Sequence, residues 1–303
     1  MNELSADCFD DLCREMPVSE PLATLDEKRG EALRKFWLWT ALGIVLGPAA
    51  FLTLLSSGWD WLGIVAGSLL LVVPIVVGFS ALSSVGEALK MPVLERIAAR
   101  AGLEYMEKGF SPPVYPMARD ALFGRHLSSE TFTDLFHGKD EQGRACAVYE
   151  ATLTRQAGKN RQTIFSGQVY AFQRGPGGAG ETIVRPDRGL FNFVHPSGMQ
   201  RVELEGAAAD FDRKFEAYST EPGTARSLLV DGALRRLLLD LREQGRLWAW
   251  IGPDDALVAI AGRNRFEPGS MLRSRPGRDR VRTMLDDCCA ALATLGKLKA
   301  KLG

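Results

Sequence analysis

Two stretches of this chain are apolar without polar punctuation, and most of the sequence beyond them alternates. FWLWTALGIVLGPAAFLTLL, from Phe36 to Leu55, holds no ionisable side chain, and about 20 such residues are what a helix needs to cross a bilayer core. The connection SSGWD leads into WLGIVAGSLLLVVPIVVGFSAL, Trp61 to Leu82, again uncharged. So short a link forces the two helices antiparallel, and the pattern predicts a transmembrane hairpin over 36–84 with spans 36–55 and 61–82. A core helix of a soluble protein would show polar residues within such lengths. A signal peptide would start near residue 1 behind a basic segment, where this chain places a mainly polar, acid-rich stretch.

The flanks of the spans predict an orientation. Trp37 and Trp39 enter the first span while Trp59 and Trp61 bracket the turn, and indole rings prefer the headgroup level of a membrane. Lys28, Arg29, Arg34 and Lys35 precede the first span and Lys90, Arg96 and Arg100 follow the second, whereas the turn carries only Asp60. The positive-inside rule then predicts a multi-pass protein of the inner membrane with both termini cytoplasmic and a cytosolic domain over 85–303. Gly43 with Gly47, and Gly63 with Gly67, form two small-xxx-small patterns that serve packing inside the hairpin or dimerisation. Of these, Gly47 and Gly67 are at the right depth to meet. Pro48 and Pro74 are tolerable in lipid. Ion and proton pathways usually need ionisable groups within the spans, so the hairpin reads as an anchor, not a pore.

The first 35 residues hold nine acids against five bases, with Leu4, Cys8, Phe9, Leu12, Cys13 and Met16 at helical spacing. This predicts a short amphipathic helix within an acidic cytosolic segment 1–35, docked on the cytosolic domain or on another protein. After the hairpin, VLERIAARAGLEY reads as a helix continuing from the second span, and SPPVYP breaks it. TFTDLFHGK, RACAVYEATLT, TIFSGQVYAFQ and ETIVRPD are β-branched and aromatic segments divided by DEQG, AGKN and GPGGAG, the signature of an antiparallel meander. MQRVELE adds a strand with Val202 and Leu204 on one face. AADFDRKFEAY reads as a helix stacking Phe211 on Phe215, GALRRLLLDLREQ as an amphipathic helix, LWAWIG and ALVAIAG as a hairpin, and VRTMLDDCCAALATLGKLKAKL as a final helix. Strands grouped with strands and helices with helices give a membrane-anchored α+β fold: a two-helix hairpin followed by a cytosolic domain with a mainly antiparallel sheet and packed helices.

Charge narrows the function classes. The 37 Lys and Arg balance 37 Asp and Glu, which argues against a nucleic-acid partner. Five unpatterned cysteines, Cys8, Cys13, Cys146, Cys288 and Cys289, suit a reducing compartment better than a disulfide framework. No phosphate loop, HExxH, GxSxG or paired CxxC occurs. His126, His137 and His195 lie at ligand spacing from no other His or Cys, so no metal, cofactor or catalytic residue is assigned. The one local field is basic: Arg263, Arg265, Arg273, Arg275, Arg278, Arg280 and Arg282 stand against Glu267 and Asp279. With Gly269, Ser270, Pro276 and Gly277 among them, they predict an exposed loop entering the last helix. Such a loop is either merely solvated or contacts anionic lipid or an acidic protein segment, where guanidinium groups pair bidentately with phosphate or carboxylate.

The order and spacing of TDLFHGK, IFSG, TIVRPD, RVELE, FDRKFEAYST, ARSLLV and LVAIAGRNRFE, from Thr131 to Glu267, with the two spans before them, resemble the bacterial domain of unknown function 3137. The resemblance implies an inner-membrane protein without assigned activity or known catalytic residues, and a LemA-type membrane protein as partner. Within the stretch, GQVYAFQRGPGGAGE departs most from the family pattern. The reading that results is a membrane-tethered binding or assembly module, leaning away from an enzyme. The alternatives are an enzyme whose site has no linear motif, or an accessory subunit of a transport or envelope complex.

Overall fold

The computed structural model describes residues 19–175, 178, 180–187, 198–204, 209–230 and 232–303. The expected amphipathic helix around Cys8 and Cys13, and His195, lie outside the described residues. Two compact units result: one joins the helices up to Arg96 with residues 266–287, the other comprises residues 97–265 and 288–303.

In the first unit, α1 (Ser19–Ser56) and α2 (Asp60–Arg100) form the hairpin. Both extend beyond the apolar stretches and are long and apolar enough to cross a membrane. Their turn closes with Ser57 N and Trp59 N donating to Leu54 O, and Gly58 supplies the left-handed φ of 77°. The glycines are what let the helices approach. A Cβ on Gly47 would sit 3.0 Å from Gly67 O, and one on Gly67 would sit 3.0 Å from Gly47 O. A Cβ on Gly43 would sit 3.0 Å from Leu71 O, and one on Gly63 would sit 3.2 Å from Phe51 O. All four small residues therefore face the partner helix of their own hairpin. Side chains turned the other way, including Leu38, Val45, Leu52, Ile64 and Val76, are exposed, as are Trp37, Trp39, Trp59 and Trp61.

One expected helix is shorter than its pattern suggests. VLERIAARAGLEY does not stay helical to its end, because α2 stops at Arg100 and Gly102 turns with φ 70°. Leu103–Met106 is then an edge strand, β1, with Leu103 buried.

The second unit is built on a nine-stranded, wholly antiparallel sheet. Its strands are β1, β2 (Ser129–Lys139), β3 (Ala145–Ala157), β4 (Asn160–Gln173), β5 (Thr182–Pro186), β6 (Gln200–Val202), β7 (Phe215–Ser219), β8 (Leu247–Ile251) and β9 (Asp255–Ala261). They lie in the order β1-β2-β3-β4-β9-β8-β5-β7-β6. The meander thus holds for β2 to β4 only. ETIVRPD, as β5, does not pair with β4, because β9 and β8 stand between them. β4 and β5 therefore do not form a hairpin, and Pro176, Gly177 and Ala179 of GPGGAG lie outside the described residues. The physical reason is composition: LWAWI is buried at every position, as is most of DALVAIA, and strands apolar on both faces belong at the centre of a sheet.

Alternation along the strands makes two faces. Tyr149, Ala151, Phe165, Val169, Trp248 and Leu257 pack with α3 (Tyr115–Phe123), a helix that the sequence pattern did not reveal. Phe123 sits within ring contact of Phe165 and Trp248 at 5.3 and 5.8 Å. On β6 and just beyond it, Val202 and Leu204 are buried while Arg201 and Glu203 are exposed, as the alternation predicts.

AADFDRKFEAY is not one helix. Ala209–Asp212 is a single turn, α4, and Phe215 opens β7. Phe211 and Phe215 nevertheless stack with ring centroids 4.9 Å apart, both buried. Helical spacing brought the right rings together through the wrong element, because from Phe215 on the segment is a strand paired with β5 on one side and β6 on the other. The remaining helices are α5 (Pro222–Val230), unexpected from sequence, α6 (Gly232–Gln244) and α7 (Gly277–Leu302).

Candidate functional site at the base of the helical hairpin

The polar end of the hairpin carries a cluster of basic groups, with Lys28, Arg29, Arg34 and Lys35 on α1. Leu25, Arg29, Ala32 and Phe36 fall on one stripe of α1 by the 3.6-residue period. Leu25, Ala32 and Phe36 are buried there, and Met271 packs with Ala32, Phe36 and Leu82. Met271 also lies over Gly86, where an added Cβ would be 3.5 Å from its Cε. The segment bearing the predicted basic loop is thus held where the uncharged stretch of α1 begins, at Phe36.

Two arginines shape that segment from inside. Arg280, 1% exposed, donates through Nη1 to Pro268 O at 2.8 Å and through Nη2 to Ser270 O at 3.1 Å and Arg273 O at 2.8 Å. Its Nε reaches Arg275 O at 3.3 Å. Arg29 adds Nε to Met271 O at 2.9 Å and Nη2 to Arg273 O at 3.0 Å. Burial, with the Arg29 and Arg275 charges, lowers the Arg280 guanidinium below its ordinary value, but an arginine stays charged in a protein. Lys90, buried on α2, closes the start of the segment by donating to Glu267 Oε1 at 2.6 Å.

With these carbonyls turned inward, the exposed side chains are Leu272, Arg273, Ser274, Arg275, Pro276, Arg278, Asp279 and Arg282. Arg275 Nη2 donates to Thr283 Oγ1 at 2.8 Å. Beside the same helix ends, a cleft of about 360 Å³ between α1 and α2 is lined by Leu25, Val85 and Leu89 and by Lys28, Glu31 and Lys35.

The seven arginines named from sequence are therefore of three kinds. Arg263 and Arg265 belong to the sheet unit. Arg265 N donates to Glu150 Oε1 at 2.7 Å and Arg265 Nη2 to Gln244 Oε1 at 3.2 Å. Arg280 is interior, so it is no part of an exposed basic face. Arg273, Arg275, Arg278 and Arg282 remain on the surface of the hairpin unit. Linear reasoning missed Arg29 and Lys90 as supports of the segment, counting them as flanking charges. Their signal was the stripe itself, since Arg29 falls among Leu25, Ala32 and Phe36 on a face that must be buried.

Other polar clusters are structural. Glu150 and Gln168 pair across β3 and β4 inside the sheet unit, and Tyr170 donates to Gln168 Oε1 at 2.8 Å. Burial pushes the Tyr170 hydroxyl up to about 12, although the Arg265 charge and a hydrogen bond with Thr294 oppose the rise. Its proton is held far above neutral pH. His137 lies 3.7 Å from Glu104 across β1 and β2, and His126 is exposed at a loop. Cys146 and Cys288 are buried. Among the described residues, no group of three or more His, Cys, Asp or Glu is placed to hold a metal ion.

Comparison with known proteins adds a family and a distant structure. No curated protein matches the chain. Among solved structures, the crystal structure of the mycobacterial trehalose monomycolate transport factor A, TtfA, is similar at 14% identity and a TM-score of 0.36, covering 68% of this chain and 95% of that one. Residues 163–299, from β4 to the last helix, match the family described as protein of unknown function, DUF3137. That match starts later than the resemblance read from Thr131 and takes in the whole arginine segment. The matched region lies behind two helices long and apolar enough to cross a membrane, and over it this chain is similar to the DUF3137 proteins of unknown function.

Proposed function

We propose that the protein is a membrane-tethered binding and assembly module of the bacterial inner membrane, with both termini and the sheet domain on the cytoplasmic side. The observation that carries this reading is the hairpin's division of its surface. Its small residues are used on its own helix–helix contact, its outward side chains are apolar and exposed, and the arginine segment is packed onto its basic end. An element built in this way holds something at a membrane surface and needs no pathway through it. The uncharged interiors of both spans support the same conclusion. Recognition then belongs to the cytoplasmic part, through a protein partner and the lipid surface. The family resemblance suggests a LemA-type membrane protein as that partner.

Purification of the intact chain in mild detergent tests the proposal. A membrane protein retained in stoichiometric amount is the expected result. A nucleotide, metal or other small molecule retained in the sheet domain, with no protein beside it, would favour an enzyme instead.

A further inference from the structure

We infer that the segment Leu272–Arg282 is a docking surface for anionic phospholipid headgroups of the bilayer in which the hairpin sits, with Arg273, Arg275 and Arg278 as the phosphate-contacting residues. This deepens the tethering proposal and rests on it. Met271 is buried against Ala32, Phe36 and Leu82, and Phe36 is the first residue of the uncharged stretch of α1. A segment held at that point lies at headgroup depth, since the hydrocarbon core is spanned by the residues beyond it.

The same segment has a defined outward face. Arg280 and Arg29 together take up carbonyls from Pro268, Ser270, Met271, Arg273 and Arg275. With the peptide oxygens engaged inside, the segment presents side chains, not backbone, to its surroundings. What it presents is Leu272, exposed and apolar, beside exposed Arg273, Arg275 and Arg278. An apolar residue flanked by guanidinium groups matches the boundary between acyl chains and phosphates.

Within its own run the segment carries more exposed bases than acids, although Asp26 of α1 is near enough to act on Arg280. Counting exposed groups from Leu272 to Arg282, Arg273, Arg275, Arg278 and Arg282 stand beside the single acid Asp279. Exposed Arg34 and Lys35 lie just before Phe36 on α1, and the acids Asp26, Glu27 and Glu31 lie further from the span on the same helix. Basic residues at an anionic membrane surface each gain roughly a 5-fold preference, so three together give on the order of 100-fold.

The test uses the full chain in detergent micelles, with retained lipid counted by native mass spectrometry from mixtures of phosphatidylglycerol and phosphatidylcholine. Wild type should retain phosphatidylglycerol preferentially, and rising salt should erode the preference because exposed charges are screened. The triple variant R273Q/R275Q/R278Q should lose most of the preference, by on the order of 100-fold, while melting like the parent. The lysine triple R273K/R275K/R278K should keep much of it. Equal retention of the two lipids by wild type, or an unchanged preference in the glutamine variant, overturns the inference. So does displacement of bound phosphatidylglycerol by millimolar inorganic phosphate, which would make this a soluble-anion site. A protein that resists alkaline extraction from membranes yet shows no preference sinks the lipid surface alone, whereas one that is extracted sinks the anchor on which it rests.

Discussion

Single side chains here do opposite work with the same chemistry. Arg280 is an interior strut, and Arg273 a few residues before it is a surface group. Replacing Arg280 by Met should leave the carbonyls of Pro268, Ser270 and Arg273 without that donor and cost about 2 to 4 kcal/mol, read by thermal or denaturant unfolding of the detergent-solubilised chain. Replacing Arg273 by Gln should change stability by less than about 0.5 kcal/mol. Phe211→Ala and Phe215→Ala should each cost about 3 to 5 kcal/mol, because both rings are buried and stacked. Variants that melt like the parent would place those rings outside the core. Asp140 sets a pH dependence in the sheet unit. Burial by itself raises its carboxyl, but Lys299 at 2.7 Å and the Arg144 backbone and guanidinium at 2.8 and 3.1 Å outweigh that and hold it well below the usual range. A carboxyl depressed in the folded state gives stability that is full above the unfolded value near pH 4 and drains as pH falls below it. Melts between pH 7 and pH 3 should therefore show an acid loss of about 1 to 2 kcal/mol that Asp140→Asn abolishes.

Among the elements, the hairpin was the most legible, because uninterrupted apolar length has few other meanings. Its internal contact was half legible. The spacing of Gly43, Gly47, Gly63 and Gly67 announces a close approach, and only the three-dimensional pairing of Gly47 with Gly67 shows that it is made within the chain. A side chain there should wedge the helices apart. Gly47→Leu is expected to destabilise the hairpin by about 1 to 3 kcal/mol, whereas Gly30→Ala, with nothing within 4 Å of the new Cβ, should stabilise α1 by up to about 1 kcal/mol. Thermal unfolding of the two variants side by side checks this. The sheet was legible strand by strand and not in its order. Local alternation marks β4 and β5 equally well, but the more apolar β8 and β9 take the centre between them, a competition that no local window contains. Phe215 illustrates the same limit, since four-residue spacing from Phe211 fits a helix until pairing with β5 and β6 claims it for a strand. α3 was hidden because SPPVYP reads as a breaker, and Pro116 also suits a first helical turn.

For the whole molecule, orientation rests on charge asymmetry and is open to a direct check. A cysteine at Ser57, in the turn of the hairpin, should react with an impermeant thiol reagent in intact cells, and one at exposed Ser270 should stay protected until the membrane is opened. Buried Cys146 and Cys288 should contribute little background. The opposite labelling would reverse the topology and place the arginine segment on the outer surface. The candidate site was legible as a run of charge and illegible as an object. The contacts that build it join Arg29 to Met271 and Arg273, residues so far apart in sequence that no motif spans them. That construction separates what shapes the segment from what it displays. Arg29, Met271 and Arg280 set the path of the chain, and the side chains at 272–275 and 278 ride on it. A library randomised at those five positions should keep its fold while changing what it adheres to, so the segment is a natural place to retarget the anchor to another surface.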